Sequence, residues 1–228
     1  MHAMPTTAHE DTWVVIPTFN EATVVADVVA TVRTHFPHVV VVDDGSRDGS
    51  AEAAASAGAE VVVHPINLGQ GAALQTGLAY ALGRGAAYVV TFDADGQHRI
   101  EDAVSMVDRA KGEGLAIVFG SRFLDGRTRP GWLKSVVLRT AVWVTNKSTG
   151  MSLTDAHNGL RVIRSDAARQ IHLEQDRMAH ASEIVLQLHR TRLPWAEHPV
   201  HIHYTEYSRG KGQSLWNSVN ILVDLLIH

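Results

Sequence analysis

The chain has 228 residues, of which 45% are hydrophobic, and this is enough apolar material to bury the core of one domain. Its formal net charge of -4 excludes the broad basic surface that binding to a nucleic-acid backbone requires. The absence of cysteine excludes a disulfide framework, thiolate catalysis and a cysteine-ligated zinc site, and it is compatible with a cytoplasmic location.

The first half of the chain alternates strand-like and helix-like patterns. Short β-branched runs that predict buried parallel strands cover residues 13–16, 39–42, 61–63, 88–92 and 116–119. Helical spacing of apolar residues predicts helices over 21–36, through the alanines after Ser46, over 72–82 and over 103–111. The alternation predicts right-handed βαβ units, and therefore an α/β fold with a mostly parallel central sheet flanked by helices.

The second half is less regular and predicts a helix over 136–147, a strand over 160–163, a helix over 182–189 and a strand over 200–203. We predict a flexible tail over 1–11, one domain over 12–214, and an amphipathic helix over 215–228. This last helix is too short and too polar to cross a bilayer. It could either rest on a membrane surface or pack on the domain.

Two carboxylates follow the fourth predicted strand, at Asp93 and Asp95. Ligands of open parallel sheets bind beyond the carboxyl ends of the strands. Carboxylates two residues apart can converge there on Mg²⁺ or Mn²⁺, which bridge phosphates. A purely structural acidic turn explains the motif about equally well, because Asp and Gly suit turn geometry. The other strand ends therefore decide between the two interpretations.

Polar residues also follow the first, second and fifth predicted strands. The first strand ends in residues 17–21 and the second in Asp43 and Asp44. Of this second pair we expect Asp43 to cap local structure and Asp44 to face a ligand. Arg122 follows the fifth strand, where a guanidinium would make planar two-point contact with a phosphate. The strand ends together favour a phosphate-containing ligand.

In this order the motifs resemble the family 2 glycosyltransferases, and within them the dolichyl- and polyprenyl-phosphate mannosyltransferases. The matching segments are residues 15–21, 42–50, 67–77, 93–97, 120–122, 155–161 and 209–214. Several are weak individually, but their order along nearly the whole chain is specific. The resemblance implies the nucleotide-sugar-binding fold known as GT-A.

The resemblance also implies roles for individual residues. The nucleotide sugar would be bound by Pro17, Phe19, Glu21, Val42, Asp44, Asp93, Ala94, Asp95, Arg209 and Lys211. A Mg²⁺ or Mn²⁺ ion would be held by Asp93, Asp95 and Gln97, and the acceptor phosphate by Arg122 and Arg139. Asp95, Arg122 and Arg209 would be the catalytic residues. Many relatives carry a lysine where this chain has Leu215, so that cation is either missing or replaced by Lys211.

The predicted reaction is an inverting transfer of a hexose from a nucleotide-diphosphate sugar to a polyprenyl or dolichyl phosphate, with mannose and GDP-mannose the first choice and UDP-glucose the next. A phosphate acceptor is already nucleophilic, because its second pKa is near 6. A hydroxyl acceptor would need a carboxylate base, for which Asp155 and Glu183 are the candidates. A non-catalytic nucleotide-binding module and a sugar nucleotidyltransferase remain as alternatives. We expect a cytoplasmic protein, peripheral at the membrane if its acceptor is a lipid.

Overall fold

The computed structural model describes residues 9–124, 142, 146–147, 150–156, 158–174 and 180–203. The predicted C-terminal helix and most of the predicted helix over 136–147 lie outside these residues. His9 falls within the predicted tail, yet it is buried and its ring lies 5.0 Å from that of Phe36. His9 thus packs against Phe36, and the predicted boundary at residue 12 stays a prediction.

The described residues form a βα alternation up to the fifth strand, as the sequence predicts. The strands are β1 Thr12–Thr18, β2 His38–Asp43, β3 Glu60–Val63, β4 Tyr88–Thr91, β5 Ile117–Ser121, β6 Arg161–Arg164 and β7 Trp195–Pro199. The helices are α1 Val25–Arg33, α2 Ser50–Ser56, α3 Gln70–Gly83, α4 Ile100–Glu113, α5 Ser165–Ala168 and α6 His180–Arg190.

The strands form one seven-stranded sheet in the order β3-β2-β1-β4-β6-β5-β7. The pairs β1–β2, β1–β4, β2–β3 and β5–β7 are parallel, whereas β6 is antiparallel to both of its neighbours. The carboxyl ends of β1, β2, β4 and β5 therefore meet the amino end of β6 at one edge of the sheet. This confirms the predicted α/β fold with a mostly parallel sheet.

The sheet is buried between two helical layers. Side chains alternate along each strand, so Val15 packs in a cluster on the α3 and α6 side, while Val14 and Ile16 pack on the α1 and α4 side. The closest approach is at Gly77 of α3, where an added Cβ would lie 2.2 Å from Val15 Cγ1. A glycine at this position lets α3 lie directly on β1.

The last strand of the sheet differs from the prediction. β7 covers Trp195–Pro199, whereas the sequence predicts a strand over 200–203. Its residues are half-buried and lack β-branched alternation, because β7 lies at the sheet edge and pairs only with β5. In the predicted stretch, Ile202 makes a single isolated bridge to His98. No helix within the described residues is long and apolar enough to cross a membrane.

Candidate active site

A cleft of about 680 Å³ opens at the edge where β1, β2 and β4 end. Its walls include nine of the thirteen residues that the sequence predicts for the site: Pro17, Phe19, Glu21, Asp44, Asp93, Ala94, Asp95, Gln97 and Arg122. Phe19 is 45% exposed, which suits an aromatic ring that stacks on a ligand. The converging strand ends therefore bring these predicted residues together.

Backbone amides of the β1–α1 turn are held by side chains of the loop after β2. Asn20 N donates to Ser46 Oγ at 2.9 Å, and Glu21 N donates to Ser50 Oγ at 2.8 Å. Asp48 accepts from the next amide along the chain at 3.0 Å. These bonds fix Glu21 at the cleft wall and explain structurally why the two motifs occur together.

Asp44 lines the cleft and also organises the loop after β3. Its carboxylate accepts from Leu68 N at 2.9 Å and from Gly69 N at 2.7 Å. A ring nitrogen of His64 lies 2.8 Å from Asp44 Oδ1, and the other ring nitrogen lies 3.0 Å from Thr76 Oγ1. Asp44 is only 3% exposed, and in the unliganded protein its carboxylate holds this loop at the cleft.

Val42 and Asp43 face away from the cleft. Val42 is fully buried beneath α3, because β2 is covered on both faces, and it does not line the cleft, so its contact with the nucleotide stays a prediction. Asp43 accepts from Ser46 N at 2.7 Å and caps the turn, as the sequence predicts.

Asp93 is held by residues from two parts of the chain. Its Oδ2 lies 2.8 Å from His98 Nε2. Its carboxylate packs against Gly159, where an added Cβ would lie 2.3 Å from Oδ2. Burial opposes ionisation of Asp93, but the nearby charges of His98 and Arg161 outweigh it and lower the pKa. Asp93 is therefore an oriented anion.

Asp95 has the opposite electrostatic environment. Burial and then the negative charge of Asp93 raise the pKa of Asp95 to about 6, although the Gln97 amide donates to its carboxylate at 3.0 Å. A divalent cation between the two carboxylates would remove this repulsion, so the donor set fits a metal. No group of three His, Asp or Glu residues suited to a metal occurs in the described ranges. The remaining ligands would have to be the side-chain carbonyl oxygen of Gln97, water and substrate phosphates, which suits Mg²⁺.

Arg122 and Asp155 form a two-point ion pair in the cleft wall. Arg122 Nε and Nη2 donate to the carboxylate at 2.6 and 2.8 Å, and the Arg122 amide donates at 3.1 Å. Asp155 is 2% exposed. Glu197 of β7 accepts from the amides of Thr154 and Asp155 and so fixes the loop. The pair presents a guanidinium of defined orientation to the cleft.

Arg161 and Asn158 are among the cleft residues to which the sequence assigned no role. Arg161 opens β6 and is 2% exposed, and Asn158 is 4% exposed. Burial lowers the pKa of Arg161 to about 10, against the opposing charges of Asp93 and Asp155, so the side chain stays charged at neutral pH. A charged residue that begins an otherwise apolar strand was the available signal.

The remaining predicted residues lie either outside the described residues or away from the cleft. Arg139, Arg209 and Lys211 lie outside the described residues. Glu183 is on α6, where its carboxylate accepts from the Glu174 amide at 3.1 Å, and it does not line the cleft.

Solved structures share this fold. Glucosyl-3-phosphoglycerate synthase from Mycobacterium tuberculosis, crystallised with Mn²⁺, UDP-glucose and phosphoglyceric acid, superposes with a TM-score of 0.68 at 20% identity, over 96% of this chain and 80% of that one. The same synthase with Mg²⁺ and UDP gives a TM-score of 0.67 at 19% identity, over 96% and 79% of the two chains. At this identity the likeness establishes the GT-A fold.

Sequence comparison establishes the family. An uncharacterised protein of Methanocaldococcus jannaschii is 33% identical over 96% of this chain and 92% of its own. The UDP-N-acetylglucosamine–dolichyl-phosphate N-acetylglucosaminyltransferase of Methanococcus voltae is 28% identical over 94% of each chain. The polyprenol monophosphomannose synthase of Mycolicibacterium smegmatis is 33% identical over 71% of this chain and 64% of its own. The family model for glycosyl transferase family 2 matches residues 13–171. The chain therefore belongs to glycosyltransferase family 2 and is a glycosyltransferase.

Proposed function

We propose that this glycosyltransferase transfers a hexose from a nucleoside-diphosphate sugar to a polyprenyl or dolichyl phosphate, with inversion at the anomeric carbon. The names of the Methanococcus voltae and Mycolicibacterium smegmatis relatives support a lipid-phosphate acceptor, but they name different sugars. Mannose from GDP-mannose is our first donor choice, followed by UDP-linked sugars.

The observation that carries this proposal is the Arg122–Asp155 ion pair. Transfer to a hydroxyl needs a carboxylate base, and the two candidates are Asp155 and Glu183. Asp155 is engaged at two points by Arg122, and Glu183 accepts from a backbone amide outside the cleft. A phosphate acceptor needs no base, because it is largely a dianion at neutral pH. The paired guanidinium would orient that phosphate.

Asp93, Asp95 and Gln97 would hold the divalent cation in the proposed reaction. Mg²⁺ or Mn²⁺ supplies positive charge against the departing diphosphate when it is bound. The protein itself would fix the nucleotide between Phe19, Glu21 and the loop that Asp44 organises. Arg209 and Lys211 remain proposed contacts of the donor. For a lipid acceptor, we also propose a peripheral contact with the membrane, with Arg139 assisting Arg122.

The direct test is transfer of labelled sugar in the presence of Mn²⁺ or Mg²⁺. GDP-mannose, UDP-glucose and UDP-N-acetylglucosamine are each combined with a polyprenyl phosphate, and with an unphosphorylated polyprenol and a free sugar as controls. We expect a lipid-linked sugar only with the phosphate. Product on a hydroxyl acceptor and none on the phosphate would overturn the proposal.

Asp155→Asn separates a positioning role from that of a base. The substitution removes the charge that orients Arg122, so we expect a higher acceptor KM and a pH–rate profile of unchanged shape. Glu174→Gln, on the surface away from the cleft, is the control. If Asp155 were a general base, kcat would fall by about a hundredfold or more and the acidic limb of the profile, which reports deprotonation of the base, would disappear.

A further inference from the structure

Asn158 and Arg161 place buried hydrogen-bond donors without partners in the wall of the cleft. Among the described residues, Asn158 Nδ2 and Arg161 Nε and Nη2 have no acceptor. Asn158 Oδ1 does have a partner, because the Leu160 amide donates to it at 2.9 Å. A buried donor without an acceptor lowers stability, and a buried guanidinium is among the most costly cases. Such groups indicate a binding partner.

These donors lie between the two halves of the proposed reaction site. On one side, the Asp93 carboxylate packs against Gly159, within the same short segment. On the other, Asp155 pairs with Arg122 and contributes, together with Asp93, to the negative field at Arg161. In an in-line displacement the transferred sugar lies between the leaving diphosphate and the attacking group. Asn158 and Arg161 therefore occupy the position expected for contacts with the sugar.

We propose that Asn158 and Arg161 form the sugar subsite and donate hydrogen bonds to oxygen atoms of the transferred sugar. The inference rests on the proposed function and deepens it. Both side chains present donors to the cleft, so they select a ligand rich in acceptor oxygens. The ring hydroxyls of a hexose meet this requirement, and so does the carboxylate of a uronic acid.

Arg161 also has a structural role, because its charge offsets those of Asp93 and Asp155. Replacing Arg161 alone leaves these carboxylates less compensated, so we expect a lower melting temperature whether or not Arg161 contacts a sugar. The difference in affinity between a nucleotide sugar and its nucleotide therefore tests the subsite, and the melting temperature does not.

The test compares nucleotides with and without a sugar, using Arg161→Met and Asn158→Asp. Asn158→Asp keeps the acceptor for the Leu160 amide and removes the Nδ2 donor. Affinities for GDP, GDP-mannose, UDP, UDP-glucose and UDP-glucuronate are measured by calorimetry with Mn²⁺. For the pair that the wild type binds, we expect each variant to reduce the affinity for the nucleotide sugar, relative to the nucleotide, at least about tenfold. A larger effect with UDP-glucuronate would assign the carboxylate.

Two controls keep this inference separable from the proposed function. Arg164→Met, at the half-buried end of β6 and away from the cleft, should leave both affinities unchanged. Arg161→Met should still unfold in one cooperative thermal transition, which shows that the variant is folded when its affinities are measured. Equal losses for nucleotide and nucleotide sugar, or wild-type affinity for both in Arg161→Met and Asn158→Asp, would overturn the subsite alone. Failure of the wild type to bind any of the nucleotide sugars would instead overturn the proposed function.

Discussion

At the scale of single residues, the two carboxylates after β4 have opposite ionisation behaviour. His98 and Arg161 keep Asp93 ionised, and Asp93 in turn hinders ionisation of Asp95. The same geometry that makes Asp95 unfavourable in the unliganded protein gives a bound cation a strong attraction. Two half-buried carboxylates that repel each other favour the prediction of a metal site over that of a structural acidic turn.

Asp95→Asn tests this repulsion through the pH dependence of stability. A raised pKa in the folded protein means that Asp95 favours folding below its ordinary pKa of 3.8, and that this contribution is lost as the pH rises through about 6. In chelator, the variant should therefore melt at a higher temperature than the wild type at pH 7.5, but not at pH 4. Transfer activity should be lost, and Mn²⁺ should no longer raise the melting temperature.

Asp27→Asn, at an exposed position of α1, is the control for removal of a carboxylate. A melting temperature of Asp95→Asn below that of the wild type at pH 7.5 in chelator would contradict the repulsion. Full activity of that variant would contradict the role of Asp95 in holding the metal.

At the scale of elements, the position of α3 on β1 places the Asp44-bound loop beside the cleft. Gly69 precedes α3, and its amide donates to Asp44. Gly77 lies in the middle of the helix and touches Val15. Because the helix follows the loop directly, a displacement of α3 from the sheet would also move the part of the cleft wall that this loop forms.

Gly77→Ala and Gly83→Ala measure this contact within one helix. An added Cβ at Gly77 would lie 2.2 Å from Val15 Cγ1, so we expect destabilisation by about 1–3 kcal/mol. The same change at Gly83 meets nothing within 4 Å and should be stabilising, by about 0.5–1 kcal/mol, because alanine favours the helix. Urea unfolding gives both values. Equal effects would show that α3 does not depend on close contact.

The sequence predicts the elements that are buried and regular. It is less reliable for elements whose conformation depends on their neighbours in the fold. The β-branched runs of β1 and β2 identify both strands, because both faces are covered. β7 was misplaced, since an edge strand needs no apolar alternation. The predicted site residues mostly follow strand ends. No role was predicted for Arg161, although a charged residue at the start of an apolar strand was a signal. Its unpaired hydrogen-bond donors become evident from the packing.

At the scale of the whole molecule, ligand binding should stabilise the domain through the assembled cleft. Loops after β1, β2, β3 and β4 all contribute to its walls, so a bound nucleotide would connect distant parts of the chain. The cleft residues come together only in the folded state. A ligand that binds in the cleft therefore increases the free energy of unfolding.

A thermal-shift titration with GDP or UDP and Mn²⁺ measures this coupling. At a ligand concentration of about 100 times Kd, we expect a gain of about 2.7 kcal/mol. For a domain of this size, that gain corresponds to a rise of roughly 5–10 °C in melting temperature. The nucleoside without phosphates is the control and should give a much smaller rise. No rise with any nucleoside diphosphate would contradict binding in this cleft.

The antiparallel insertion of β6 between β4 and β5 has a consequence for divergence. The chain leaves the sheet at Ser121 and returns at Arg161, on the adjacent strand and at the same edge. Both ends of the connection are thus anchored beside the cleft, whatever its length. Lengthening such a connection is inexpensive, because each doubling costs only about 0.6 kcal/mol in loop closure. The connection can thus change in length by insertion and deletion while the seven-stranded sheet stays unchanged.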